Sequence, residues 1–155
     1  MFEHIMQRGK IRNLEVKNRM KFASTTSNFS NHDGTVNDRE VAYYAERAKG
    51  GAGLVTTGGA YPHLFGKGYI GQLGASDDKF IPGLKRIADA IKANGAKSAC
   101  QIMHVGRYSH LKKYGIADMA TGPSAMQSTL RKFAHSLDRR RSPRSLMPRS
   151  AKAPL

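Results

Sequence analysis

Gln101, His104 and Arg107 sit within one eight-residue stretch, QIMHVGRY, where apolar Ala99, Cys100, Ile102 and Met103 give way to polar groups. Chemistry tends to sit at such an edge: the carboxyl ends of strands in a parallel α/β protein are where side chains leave the core and face a ligand. The same residues could instead only satisfy neighbouring backbone, and their types and spacing leave both readings open. A second candidate is the small-residue run Ala23, Ser24, Thr25 and Thr26, which would let a flat ligand approach the backbone closely. Gly58–Gly59 is the third, because glycine removes side chains where a ligand or another backbone must come near.

The elements that must position these groups follow in order. Residues 1–19 suggest a small hairpin with Ile11, Leu14 and Val16 on its buried side. Residues 20–26 alternate well enough for a strand, and 27–38 read as a loop with Asp33–Gly34 as a turn. Asn37 or Asp38 caps a helix reaching about Lys49, with Val41, Ala42, Ala45 and Ala48 on one face and Gly50–Gly51 as the stop. Residues 52–57 make a short apolar strand. A long glycine-rich loop over 60–79 has the character of a functional or mobile segment. Residues 81–94 show helical spacing at Leu84, Ile87, Ala88 and Ile91, with Pro82 in the first turn and Gly95 at the stop. A buried strand then ends in QIMHVGRY. The order hairpin, β, α, β, α, β implies parallel strands with crossovers, too few to close a barrel.

At 155 residues one compact unit is the default. Basic side chains outnumber acidic ones by 26 to 11, and residues 128–155 alone carry eight basic groups against one acidic. One cysteine, Cys100, excludes an internal disulfide and reads as a small core residue. No run approaches a membrane span and the N-terminus lacks a signal-peptide core, so a soluble cytoplasmic protein without membrane partners is expected. His4, His32, His63, His110 and His135 show no metal-ligand spacing and are expected at the surface, with no metal site.

The segments NLEVKNRM (13–20), DREVAYYAERAKGGAGLVTTGG (38–59), GQLGASDDKFIPG (71–83) and QIMHVGRY resemble the old yellow enzyme family, in its NADH:flavin oxidoreductase and dienoyl-CoA reductase branch. The resemblance covers about residues 1–133. It implies an α/β fold comprising the N-terminal hairpin and first three βα units of a TIM (β/α)8 barrel, incomplete, with FMN across the carboxyl ends of the strands and NAD(P)H as reductant. The substrate implied is a small α,β-unsaturated molecule.

Residue by residue, Ala23, Ser24 and Thr25 match the strand-one segment whose backbone lies along the flavin, and Thr26 matches the position that tunes its reduction potential. Family members often carry proline where Ser24 stands. Gly58 matches the strand-two position that leaves room for the flavin edge, and Gln101 matches the strand-three glutamine that hydrogen-bonds the pyrimidine ring. His104 and Arg107 match the H-x-G-R continuation in a supporting role, and Ser124 in ATGPSAM (120–126) could line the site. The family's remaining catalytic groups and phosphate cradle belong to strands four to eight, so this chain is expected to be a fragment with little activity of its own. Residues 134–155, rich in Arg, Ser and Pro, are expected to form a disordered basic tail originating in a shifted frame or truncated gene. An alternative, nucleic-acid or anion binding, would rest on Arg139, Arg140, Arg141, Arg144 and Arg149, which lack interleaved aromatics.

Overall fold

Glycine placement and the apolar spacing of two helical segments set the architecture. The computed structural model of the chain describes residues 2–108. A four-residue helix, α1 (Glu3–Met6), precedes an antiparallel hairpin of β1 (Gly9–Ile11) and β2 (Leu14–Val16), paired Gly9 to Val16 and Ile11 to Leu14. The two-residue turn holds Arg12 at φ 52°, the left-handed conformation that such tight turns require. Three parallel strands follow: β3 (Lys21–Phe22), β4 (Leu54–Thr56) and β5 (Lys97–Ala99), with β4 in the middle. The crossovers are α2 (Asp38–Lys49) and α3 (Ile81–Ala93). This is the expected order, a partial α/β portion with no closed barrel among the described residues.

Both helices start and stop where the sequence says. The Asn37 side chain accepts from the Glu40 amide at 3.1 Å, capping α2, and Gly51 at φ 105° carries the chain away from its end. Pro82 occupies the first turn of α3, where no donor is needed, and Gly95 at φ 73° ends it. α2 and α3 pack together over one face of the sheet. Tyr44 and Ala48 from α2, Val55 from β4, and Ile87 and Ile91 from α3 form the core with Ala60, Leu73 and Ala96. On the opposite face Leu54 lies in register between the exposed residues Lys21 and Lys97, and the buried Thr56 hydroxyl has no partner among the described residues.

Several expectations need correction. Ile11 and Leu14 do share the hairpin face with Val16, but only Val16 is buried; Ile11 is 52% exposed because it and Leu14 flank the exposed turn at Arg12 and Asn13, the end of the hairpin away from Val16. The strand over 20–26 forms a ladder only at Lys21–Phe22, and Ala23–Thr26 continue without strand pairing. The strand leading into QIMHVGRY is not buried: Ala99, Cys100 and Gln101 are exposed and Ile102 is 58% exposed. Among the described residues β5 is the sheet's edge and is covered on one side only, so Cys100 is an exposed thiol rather than a core residue. Ala42 of α2 faces outward, whereas Glu40 and Tyr44 are buried. The loop over 60–79 is packed: Tyr61 and Leu73 are buried, and the Tyr61 backbone bonds Leu73 and Ala75 at 3.0 Å each. His63 is half-buried, its Nδ1 accepting from the Phe65 amide at 3.3 Å.

These burials predict a contrast between two isoleucines. Ile91→Ala, inside the core, should destabilise the chain by about 3 kcal/mol, while Ile102→Ala should cost no more than about 0.5 kcal/mol, read from urea midpoints.

Candidate functional site

The carboxyl ends of β3, β4 and β5 lie side by side because parallel pairing aligns them, and three of the sequence candidates converge there. The Ser24 hydroxyl donates to Oε1 of Gln101 at 2.6 Å, joining residues 77 positions apart. With its oxygen so engaged, the Gln101 amide is oriented and Nε2 remains a donor on the open side. The Ala60 amide donates to the Gln101 carbonyl at 2.8 Å and the Met103 amide to the Ala60 carbonyl at 2.9 Å, tying the segment after β4 to the segment after β5. Ser24 and Thr26 are half-buried, while Ala23 and Thr25 are exposed.

Gly58 lies against the chain that leaves β3. A Cβ there would meet the Thr25 carbonyl oxygen at 2.6 Å and the Thr26 Cα at 3.1 Å. The absent side chain therefore serves first to let the β3 and β4 extensions touch. The Gly58 amide donates to the Tyr44 hydroxyl at 2.6 Å, and the Gly58 carbonyl accepts from Thr57 at 3.2 Å. Ala23–Thr26, Gly58 and Gln101 thus form one continuous polar edge.

The supporting candidates sit beside it. A Cβ on Gly66 would meet the His104 ring at 2.6 Å, and one on Gly68 would meet Val105 at 2.5 Å, so the loop after β4 seats the HVG segment on glycine. His104 Nδ1 accepts from the Gly106 amide at 3.0 Å. Arg107 lies on a 3-10 turn, Gly106–Tyr108, and its side chain is outside the described structure. Ser124, the arginines of the alternative reading and the whole of 134–155 lie outside the described residues. No helix among the described residues is long and apolar enough to cross a membrane.

Sequence reasoning missed a second layer. Glu40 is 1% exposed, with Ser30 donating to Oε2 at 2.5 Å and Ser27 to Oε1 at 3.5 Å. Burial pushes its carboxyl above the ordinary value, against the two serine hydroxyls, which lower it. Tyr44, one turn on, is fully buried and its hydroxyl is pushed up to about 12 by desolvation. Glu40, Tyr44 and Ala48 recur every four residues, the signal that could have revealed this face. Two polar residues of the following loop are also buried. Lys67 donates to the His32 carbonyl, and desolvation lowers its ammonium below the usual lysine range. Gln72 accepts from the Gly68 amide at 2.7 Å and donates to the Gly59 carbonyl at 2.8 Å.

Comparison with known proteins bears on this edge. The sequence profile described as the NADH:flavin oxidoreductase / NADH oxidase family matches residues 5–146. A metal reductase of Desulforamulus reducens is 43% identical over 98 residues, covering 63% of this chain and 14% of that protein. A solved 2-naphthoyl-CoA reductase, in complex with 2-naphthoyl-CoA, is 53% identical with a TM-score of 0.73, covering 75% of this chain and 18% of that one. The old yellow enzyme from Pichia sp. is 25% identical with a TM-score of 0.71, covering 79% and 32%. The chain therefore spans no more than about a third of the length of these three proteins.

Glu40 gives the site layer a measurable pH signature. A carboxyl titrating above its unfolded value binds more protons folded than unfolded, so its contribution to stability is complete below the unfolded value and is lost as pH rises through the folded one. Urea midpoints from roughly pH 4 to 8 should show Glu40→Gln gaining on the wild type as pH rises; parallel curves would contradict it.

Proposed function

The chain belongs to the NADH:flavin oxidoreductase / NADH oxidase family, whose cofactor is FMN with NAD(P)H as reductant, and from that membership we propose that its polar edge holds one side of a flavin. When bound, FMN carries hydride from NAD(P)H to an activated alkene. The observation that supports this reading is the convergence of Ser24, Gln101, Gly58 and Thr25–Thr26 at the aligned strand ends.

The donor set fits the edge of a heteroaromatic ring that carries carbonyls and an imide. Gln101 is pre-set by Ser24 to offer Nε2, and extended Ala23–Thr26 supplies a flat wall without bulky side chains. The Thr26 hydroxyl would favour negative charge developing on the ring beside it. These groups recognise and orient; they do not transfer the substrate's proton. Phosphate contacts supply much of the affinity for a mononucleotide, so the ring edge alone gives weak binding, and the chain by itself is expected to turn over little substrate.

For the substrate class, the 53% identity to a 2-naphthoyl-CoA reductase supports a conjugated acyl thioester, a more specific member of the α,β-unsaturated class. An equilibrium titration of FMN fluorescence with the chain tests the reading, because it detects weak binding without a separation step. Saturable binding at up to millimolar concentrations supports it, and no binding over that range overturns it. Gln101→Ala should then weaken FMN binding roughly tenfold in a fluorescence titration, the worth of about one hydrogen-bonded contact.

A further inference from the structure

Two residues of the polar edge are tied to each other side chain to side chain, and the direction of that bond decides what the edge can offer a ring. The Ser24 hydroxyl donates to Gln101 Oε1 at 2.6 Å, and that oxygen is its only hydrogen-bond partner among the described residues. Both ends of the bond are anchored by backbone. Thr25, next to Ser24, lies against Gly58, where a Cβ would meet the Thr25 carbonyl oxygen at 2.6 Å, and the Gly58 amide is itself held by the Tyr44 hydroxyl. The Gln101 carbonyl accepts from the Ala60 amide at 2.8 Å. Gln101 is exposed, so the part of its amide turned away from Ser24 is open to a ligand.

We propose that Ser24 is a positioning residue that makes Gln101 a committed donor, so that the edge holds reduced FMN more tightly than oxidised FMN. This rests on reading that edge as the flavin site. A glutamine amide carries an acceptor oxygen and a donor nitrogen, and either can face outward when nothing engages the other. With Oε1 taken by Ser24, Nε2 faces outward; the opposite orientation would set Nε2 against Ser24 and leave the hydroxyl proton without a described acceptor. The carbonyls of FMN all lie on the pyrimidine half of its ring system, and reduction places negative charge on that same half. A bond donated there is neutral with the oxidised ring and charge-assisted with the reduced anion, and charge-assisted bonds are roughly twice as strong. An outward Oε1 would instead accept from the imide N–H, a bond that gains nothing on reduction.

Two other features also favour the reduced anion, the Thr26 hydroxyl and the chain's net charge of +15. Neither passes through Ser24. The role is therefore read from the change that Ser24 makes to the preference, and not from the preference itself. Ser24 and Gln101 are both uncharged, so removing the hydroxyl alters the direction of one amide while leaving every charge in place.

The test titrates the whole chain, without oxygen, with oxidised FMN and with dithionite-reduced FMN, following backbone and side-chain amides by NMR. Reduced FMN should bind about tenfold more tightly than oxidised FMN in the wild type. In Ser24→Ala that ratio should fall by at least about threefold, and Ser24→Thr, which keeps the hydroxyl, should retain it. Ser24→Cys, close in shape but a far weaker donor, guards against an alanine variant that fails to fold and should show the same fall. Before any FMN is added, the Gln101 side-chain amide signals should already differ between the wild type and Ser24→Ala. A ratio that neither Ser24→Ala nor Ser24→Cys lowers overturns the proposal, as does a Ser24→Thr chain that behaves like Ser24→Ala. Equal affinity of the wild type for the two forms also overturns it. Binding of neither form to a folded chain would instead sink the flavin reading, and the positioning role with it.

Discussion

Parallel pairing of β4 with both β3 and β5 is the constraint on which the rest depends. Parallel neighbours cannot be joined by tight turns, so each connection must travel back along the sheet, and α2 and α3 are those returns. The returns cover one face and bury Val55 with Tyr44, Ile87 and Ile91. Parallel pairing also brings all three carboxyl ends to one side, which is how Ser24 and Gln101 come to lie 2.6 Å apart across 77 residues. Core and candidate site are two results of one pairing.

The loops beyond those ends are held by polar groups more than by apolar packing. Lys67 reaches the His32 carbonyl, Tyr61 donates to the Asp33 carbonyl at 2.9 Å, and Asn28 accepts from the Gly71 amide at 2.7 Å. Gln72 bridges Gly68 and Gly59 from a fully buried position. Each bond contributes only about 1 kcal/mol net, but losing one partner would strand a buried polar group at a cost of about 1–3 kcal/mol. The loop after β3 and the loop after β4 therefore fix one another. Glycines admit this close approach: a side chain on Gly34 would strike the Tyr61 hydroxyl at 2.2 Å.

What the sequence made legible follows from which signals are local. Helix limits depend on caps and glycine stops, so Asn37, Gly51 and Gly95 announce them directly. Burial depends on what packs from outside the segment. QIMHVGRY has the apolar content of an inner strand, yet β5 is an edge and Ile102 and Cys100 face outward. The converse holds at Glu40 and Lys67, charged residues buried where serine hydroxyls and a carbonyl provide partners from distant segments, which no local signal announces. The polar edge was legible by resemblance at Ser24, Gly58 and Gln101. The layer behind it was not, because Tyr44 and Glu40 sit on a helix whose alanines seemed to define its inner face.

Three strands can fix an edge, but they cannot enclose a ligand. Enclosure needs walls on both sides of a ring, and the described sheet covers only its helix-facing side, leaving Lys21, Lys97 and Ala99 exposed on the other. Rigidity of the edge is a separate matter, and it is met locally. Gly58 is held by Tyr44, Gln101 by Ser24, and the segments after β4 and β5 by each other. Such an edge is pre-organised before any ligand arrives, so binding there need not order the backbone. Rigidity of the polar edge is therefore built into residues 2–108 by hydrogen bonds of their own.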